Sequence, residues 1–237
     1  MQVSQIFLSD NPEGSLPPAL EETTATVKQA FPEWDYKLYG QEELRQLLKD
    51  HFEADVINAF DKVKAYAFKA DLARYCLLYL YGGWYLDVTL RIHNGIQFGD
   101  DIKLFGFRDL SRYIGNTNAV DNTAIYVNQA KHSLFIDALD TCVNNILTDH
   151  YGWNPLAVTG PVVWGDTITD NFVPGSFGFG DVVELTPGRP NPNKALVLPH
   201  GDIFAFKKRS GGGDLSSLGI TGTNNYNELW QFRRLYN

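Results

Sequence analysis

The stretch that decides the fold runs from Lys69 to Leu90 and reads KADLARYCLLYLYGGWYLDVTL. It combines an apolar helix, a break at Gly82 and Gly83, and an apolar strand that ends at Asp87. In open α/β sheets, ligands bind outside the carboxyl ends of strands. A carboxylate inside the strand would instead be a costly buried charge. The stretch therefore predicts an α/β fold with a ligand site at Asp87.

Further strands and helices are predicted on both sides of this stretch. We predict strands over residues 3–8, 34–39, 102–107, 122–127, 182–185, 195–198 and 203–206. We predict helices over 20–30, 132–149 and, as one or two helices, 42–60, with a short helix after a turn at 155–164. The order strand, helix, strand, helix is typical of an α/β fold. Since no repeat or low-complexity linker divides the chain, we predict one domain over residues 1–237.

The composition excludes several classes of protein. The 237 residues carry a net charge of -8, which argues against nucleic-acid binding because that affinity depends on clustered Lys and Arg. Cys76 and Cys142 are predicted to be buried reduced thiols. No segment resembles a signal peptide or a membrane span, so we expect a soluble, cytoplasmic protein.

The same stretch resembles the core of glycosyltransferases with a DXD sugar-binding region, namely family 32 and the relatives of clostridial toxins. Their pattern is roughly D-x-x-R-Y, an apolar helix, G-G and Y-x-D-x-D. The matching residues here are Asp71, Arg74, Tyr75, Gly82, Gly83, Tyr85 and Asp87. The chain departs from the pattern at Thr89, where the family usually has its second Asp.

The resemblance implies an α/β, single-domain, GT-A-like fold that is Rossmann-like, with a mixed, mainly parallel sheet flanked by helices. Residues 1–100 would form the nucleotide-sugar-binding part, and residues 101–237 the acceptor-side part and a C-terminal wrap. The implied activity is transfer of a hexose from a UDP- or GDP-sugar to a glycan or other hydroxyl acceptor, with retention of anomeric configuration. The alternative is a noncatalytic module that binds a sugar or nucleotide sugar.

The resemblance also implies roles for individual residues. The donor sugar would be bound by Asp71, Arg74 and Asp87. The nucleotide would be bound by Phe7, Leu8, Ser9, Tyr75, Leu86, Asp87 and Trp230, with the Trp230 indole donating to the departing phosphate. Asp121 or Asn122 would face the anomeric carbon as the catalytic group. Thr159, Gly160 and Pro161 resemble a T-G-P turn of the family.

A divalent cation, Mn²⁺ or Mg²⁺, is expected from the resemblance, with Asp87, Thr89 and Asn225 as ligands. Hard cations prefer charged oxygen ligands, so the neutral Thr89 hydroxyl should weaken this site. Three explanations of Thr89 remain: the substitution is tolerated, the metal dependence is reduced, or the chain binds a sugar nucleotide without turning it over. A basic segment, Lys207–Asp214, could close over the diphosphate, or it could be a solvated turn.

Simpler structural interpretations of these residues remain open. Asp87 alone could be a turn or cap carboxylate at the end of a strand. Asp71 and Arg74, three apart on a helix, could form a buried salt bridge that only fixes the register of the helix. Asp121 and Asn122 could be the polar start of a strand.

Overall fold

A computed structural model describes residues 1–11, 15–110, 118–188, 193–207 and 212–237. Within these residues the chain forms a nine-stranded sheet and seven α-helices. The strands are β1 (Gln2–Ile6), β2 (Asp35–Tyr39), β3 (Gly83–Leu86), β4 (Arg91–Ile92), β5 (Leu104–Arg108), β6 (Val120–Val127), β7 (Phe177–Glu184), β8 (Lys194–Val197) and β9 (Ile203–Lys207). The helices are α1 (Pro18–Ala30), α2 (Gln41–His51), α3 (Ala54–Lys62), α4 (Tyr66–Tyr81), α5 (Leu134–Leu147), α6 (Pro161–Asp170) and α7 (Tyr226–Gln231).

The strand order in the sheet is β2-β1-β3-β6-β5-β7-β8-β9-β4. Among the described residues, β1 pairs in parallel with β2 and β3, and β5 pairs in parallel with β7. The other five pairs are antiparallel. The predicted α/β fold with a mixed sheet is confirmed, but the expected excess of parallel strands is wrong. The amino-acid composition of a strand indicates how buried it is, but not the direction of the strand beside it. Short connections, such as the one from β8 to β9, favour antiparallel pairing.

Most predicted elements are present, with shifted ends. The helix or helices predicted over 42–60 are two, α2 and α3, because the backbone is extended at Phe52 and Glu53. The strand predicted over 182–185 is the end of β7, which begins at Phe177. β4 and α7 have no counterpart among the predicted elements.

Helix α4 is the central helix of the fold. It packs against α5 and against strands β1 and β3. Its buried residues lie all round the helix, as expected for a helix enclosed by other elements. This burial encloses two charged side chains, Asp71 and Arg74, next to the sheet.

The turn from α4 to β3 requires two glycines. Gly82 ends the helix with a φ of +62°, and Gly83 begins β3 with a φ of +82°. A Cβ atom on Gly83 would lie 2.1 Å from the carbonyl oxygen of Gln2. Glycine therefore allows β3 to approach β1 closely enough to pair with it.

Aromatic side chains reveal that the sheet curls. The rings of Phe204 on β9 and Trp84 on β3 are stacked with centroids 5.1 Å apart, although four strands lie between β9 and β3 in the sheet order. Phe107 on β5 stacks on the same Phe204 ring at 5.5 Å. The curl brings the end of β9 close to β6, which is essential for the site described below.

Two further predictions concern single features of the chain. Cys76 and Cys142 are both buried free thiols, as predicted. In the part of the chain that the structure describes, no helix has the length and apolar character that crossing a membrane requires.

Candidate active site

A small cavity of about 80 Å³ lies at the carboxyl ends of β1 and β3. It is bordered by residues that follow these strands, Phe7, Leu8, Asp87, Val88 and Thr89, and by Arg74 of α4. It is also bordered by Tyr66, Gly213, Leu215 and Thr223, which we call the roof residues. β1 and β3 are parallel neighbours, so their carboxyl ends lie at the same edge of the sheet. The residues that follow the two strands therefore meet at this cavity.

Asp87 is the first residue after β3, and it lines the cavity. Its backbone N–H donates to the carbonyl of Thr123 on β6 at 2.7 Å. Its Oδ1 accepts from the backbone N–H of Thr89 at 3.0 Å and from the Thr89 hydroxyl at 2.9 Å. Asp87 therefore stabilises its own turn through Oδ1 and also borders the space where a ligand would lie.

Asp71 and Arg74 form a buried ion pair, with 6% and 3% of their surfaces exposed. Asp71 Oδ1 lies 3.1 Å from the Arg74 guanidinium and accepts from the Asn122 amide at 2.9 Å. Asp71 Oδ2 accepts from the Thr159 hydroxyl at 2.8 Å. Burial raises the pKa of Asp71, and Arg74, Thr159 and Asn122 oppose this rise only in part. The simpler interpretation of this pair, a buried salt bridge, describes its geometry.

Arg74 differs from Asp71 because it also borders the cavity. Its guanidinium lies over the Tyr85 ring at 4.5 Å from the centroid, and its Nε donates to the Ala70 carbonyl at 3.1 Å. A second guanidinium nitrogen donates to the Asn122 carbonyl. These contacts fix the planar cation in one orientation at the edge of the cavity.

Asp121 and Asn122 lie on an irregular part of β6. Phe105 of β5 pairs with Tyr126, whereas Phe107 already pairs with Asp121, so the register shifts between them. Such bulges redirect side chains and are frequent beside active sites. Here the Asn122 amide bonds to Asp71 on α4, while the Asp121 carboxylate bonds to Lys207 at the end of β9. The two predicted catalytic residues therefore have separate partners.

The pair of Asp121 and Lys207 is well enclosed. The side chains are 2% and 18% exposed, respectively, and the Lys207 ammonium also lies 3.3 Å from the Thr123 hydroxyl. Burial alone would raise the pKa of Asp121, but the charge and hydrogen bond of Lys207, with two bonds from Thr123, lower it. Lys207 was predicted to begin a basic loop; it ends β9, and residues 208–211 of that loop lie outside the described residues.

The predicted nucleotide contacts fall into two groups. Phe7, Leu8 and Asp87 border the cavity. The others have different partners: the Ser9 hydroxyl donates to the Asn11 carbonyl at 3.1 Å, Leu86 is fully buried in the core, Tyr75 stacks on Trp164 at 5.4 Å, and the Trp230 indole donates to the Tyr151 carbonyl at 2.5 Å. Trp230 has a single N–H donor, so the predicted bond to a departing phosphate would require loss of this contact.

The segment that carries Asp87 and Arg74 is similar to a known protein family. Residues 17–100 match the family model described as glycosyltransferase sugar-binding region containing DXD motif. The resemblance to DXD-region glycosyltransferases is confirmed. The matched segment includes Asp71, Arg74, Asp87 and Thr89 and ends before Asp121.

Two individual proteins extend the comparison. An uncharacterised glycosyltransferase of Acanthamoeba polyphaga mimivirus is 29% identical over 135 residues, which cover 56% of this chain and 51% of that protein. The chain thus spans about half the length of this curated relative. A solved structure titled PaToxG Glycosyltransferase superposes with a TM-score of 0.53 at 15% identity, covering 72% of this chain and 68% of that one. This likeness confirms the GT-A-like fold.

The residues predicted to bind a cation do not fit a tight divalent site. The Thr89 hydroxyl donates to Asp87, and Asn225 Oδ1 accepts from the Asn227 N–H at 3.0 Å, which caps α7. Asn225 borders a different cavity, together with Asp214 and Glu228. Within the described ranges, no three His, Cys, Asp or Glu side chains are grouped as metal ligands. Mg²⁺ and Mn²⁺ need several oxygen ligands and prefer carboxylates. Of the three predicted ligands, Asp87 alone carries a carboxylate.

Sequence reasoning missed three polar contacts beside the site. The Tyr66 hydroxyl donates to Asp10, which follows β1 in the chain, and the Asp10 N–H donates to the Gly222 carbonyl at 2.8 Å. The backbone N–H of Tyr66 donates to the Asn224 side chain at 3.0 Å. Tyr66 and Asp10 are 56 positions apart in the sequence, and Asp10 and Gly222 are 212 apart (222 − 10). No local sequence pattern could therefore reveal these contacts.

A larger cavity of about 510 Å³ lies elsewhere, between the end of α1 and the residues after β4. It is bordered by Trp34 and His93, among others, and by none of the predicted site residues. Size alone would favour it as a ligand site. The smaller cavity is the better candidate because Asp87 and Arg74 converge there within the segment that matches the sugar-binding region.

Proposed function

We propose that the chain is a glycosyltransferase that binds a nucleotide-diphosphate sugar at the cavity bordered by Asp87 and Arg74. The reaction is transfer of a hexose to a glycan or other hydroxyl acceptor, with retention at the anomeric carbon. The observation that carries the proposal is that Asp87 ends β3 at this cavity, inside the segment that matches DXD-region glycosyltransferases.

The donor contacts follow from the chemistry of the side chains at the cavity. Among the described residues, no hydrogen bond to Asp87 Oδ2 is found, so this oxygen can accept from a ribose or sugar hydroxyl. Arg74 offers fixed N–H donors to sugar hydroxyls or to a phosphate. Phe7 and Leu8 provide apolar surface beside the nucleotide. Asp71 acts through Arg74, whose position it holds.

Retention is supported by the state of the two buried carboxylates near the cavity. Asp71 is ion-paired with Arg74 and accepts hydrogen bonds from Asn122 and Thr159, and Asp121 is ion-paired with Lys207 and accepts hydrogen bonds from Thr123, so neither is a free general base. In a front-face reaction, the C–O bond to the leaving phosphate breaks and the acceptor oxygen attacks from the same side. The leaving phosphate takes the acceptor's proton, so no separate protein base is needed.

The size of the cavity implies that donor binding opens the site. Ligand pockets are commonly about 300–1,000 Å³, whereas this cavity is about 80 Å³. The roof residues are held to the rest of the site by the Tyr66–Asp10 and Asp10–Gly222 contacts. We therefore expect the segment that carries Gly213, Leu215 and Thr223 to move outward when a donor enters.

A noncatalytic nucleotide-sugar-binding module is the second candidate. It is favoured by one observation, the neutral Thr89 in the place of the second carboxylate of the DXD motif. Release of free sugar from the donor, measured without acceptor, separates the two functions. Slow release supports the transferase, whereas binding without release supports the module.

The direct test is donor binding to Asp87→Asn. The amide keeps the oxygen that accepts from Thr89 but removes the charge at the cavity, so the turn should survive. We expect the stabilisation of the wild type by its best UDP- or GDP-sugar, measured as a thermal shift, to be lost. The melting temperature without ligand should change little. Asp140→Asn, an exposed change on α5, is the matched control. Unchanged donor binding in Asp87→Asn would contradict the assignment.

A further inference from the structure

Lys207 is a cation that is linked to the DXD-like turn through Thr123 of β6. Its ammonium contacts the Thr123 hydroxyl at 3.3 Å, and the carbonyl of the same Thr123 accepts from the backbone N–H of Asp87 at 2.7 Å. One residue of β6 thus joins Lys207 to Asp87. The basic segment noted in the sequence begins with this lysine, but only the curl of the sheet brings it to β6.

The Lys207 ammonium is held in place, and one of its N–H donors has no partner among the described contacts. Its side chain is 18% exposed, and Asp121 fixes it through an ion pair. Asp121 is in turn held by the backbone N–H of Thr123 at 2.9 Å and by the Thr123 hydroxyl. An ammonium has three N–H donors. Among the described contacts, Asp121 and Thr123 account for two of them.

The charges at the site favour a fixed cation over a bound metal ion. Thr89 supplies no charge where the DXD motif has a second carboxylate, and Asn225 borders another cavity. The leaving nucleotide diphosphate nevertheless needs positive charge close to it as the sugar bond breaks. Arg74 borders the cavity together with Asp87, and Lys207 contacts Thr123, the β6 neighbour of Asp87.

We propose that Lys207, in place of a divalent cation, balances the charge of the donor's diphosphate at this site. This inference rests on the proposed donor site. As the C–O bond breaks, the electron pair goes to the phosphate oxygen, and the third N–H of Lys207 donates to the diphosphate. The lysine remains protonated throughout, and the acceptor's proton goes to the leaving phosphate. Asp121 holds the ammonium in position and does not contact the donor.

The test measures binding of UDP and GDP to the whole chain by calorimetry, first in EDTA and then with MnCl₂. For the wild type, we expect the better of the two nucleotides to bind in EDTA, with an affinity that Mn²⁺ changes less than about threefold. A charge-assisted hydrogen bond contributes enough that Lys207→Gln should weaken binding in EDTA by about tenfold to a hundredfold. Lys207→Arg should recover most of the loss because it keeps the charge.

A second variant covers the case in which Lys207→Gln fails to fold because Asp121 is left unpaired. The double change Lys207→Met and Asp121→Asn removes both charges together, so no buried charge remains alone. We expect it to fold and to bind the nucleotide as weakly as Lys207→Gln. Wild-type affinity in the double variant, or binding that appears only with Mn²⁺, would overturn the role of Lys207. A wild type that binds neither nucleotide under either condition would instead overturn the proposed donor site.

Discussion

At the scale of single residues, the site depends on charges that the protein satisfies internally. Asp71 is ion-paired with Arg74 and accepts hydrogen bonds from Asn122 and Thr159, and these three partners belong to different parts of the chain. Removing one partner of a buried ion pair leaves the other charge without compensation. Asp71 therefore holds Arg74 in its orientation, and the loss of either residue leaves the other as an uncompensated buried charge.

Replacing Arg74 should destabilise the protein strongly. Arg74→Met leaves the buried Asp71 carboxylate without its cation, and we expect a loss of about 3–5 kcal/mol in the free energy of unfolding. Urea denaturation followed by circular dichroism measures this loss. The control is Arg45→Met, which breaks the more exposed pair with Asp61 on the surface and should cost far less. Equal losses in the two variants would contradict a buried network at Asp71.

Lys69 gives a prediction for pH. Burial lowers the pKa of Lys69 to about 8, although Asp61 partly opposes this. Between pH 8 and the ordinary lysine pKa near 10.5, the unfolded chain binds the proton more often than the folded chain, so this residue's contribution to stability rises with pH. Burial raises the pKa of Cys76 and Cys142, which act in the opposite direction. The effect must therefore be measured as a difference between variants.

The comparison is between the wild type and Lys69→Met by urea denaturation at pH 7 and pH 9.5. The two cysteines contribute equally to both proteins and cancel. We expect the difference in unfolding free energy to shift by about 1–2 kcal/mol in favour of the wild type as the pH rises. A difference that is constant with pH would show that Lys69 titrates normally in the folded protein.

At the scale of elements, the close approach of β1 and β3 positions the cavity. Gly83→Ala would place a methyl group 2.1 Å from the Gln2 carbonyl oxygen in addition to the strain of a positive φ. Gly219→Ala introduces strain at a φ of +72° but has no atom within 4 Å of the added carbon. Strain of this kind costs about 1–2 kcal/mol. We expect Gly83→Ala to lower the unfolding free energy by clearly more than Gly219→Ala in the same urea assay. A similar loss would mean that the two strands can separate without cost.

The elements also show what a sequence can predict and where it fails. The apolar run of α4, the glycine pair and the apolar strand before Asp87 are local signals, and the structure contains all three. The antiparallel pairing of β3 with β6 and the bulge in β6 depend on partners far along the chain. Composition carries no signal for either feature.

In the candidate site, too, local motifs were predicted from the sequence and long-range contacts were not. Asp87 and Arg74 were assigned because the local motif around them resembles the family pattern, and both border the cavity. Trp230 and Asn225 were assigned by position in a weakly matching segment, and their polar groups have other partners. The pairing of Lys207 with Asp121 spans 86 residues and depends on the curl of the sheet, which no local pattern predicts.

At the scale of the whole molecule, the fold brings three distant parts of the chain to one edge of the sheet. Residues that follow β1 and β3 border the cavity, α4 contributes Arg74, and Gly213, Leu215 and Thr223 contribute to the roof. The C-terminal residues also hold the start of α4, because Lys64 donates to the Leu235 carbonyl at 2.7 Å. Donor binding should therefore involve the C-terminal part of the chain as well as the segment that matches the family model.

A crystal structure with a bound UDP- or GDP-sugar, chosen by the thermal-shift assay, tests the central claim most directly. The account predicts density for the donor between Asp87 and Arg74, with the segment of Gly213, Leu215 and Thr223 displaced outward. Density in the larger cavity beside Trp34 and His93, with Asp87 unchanged and in contact with no ligand atom, would contradict it.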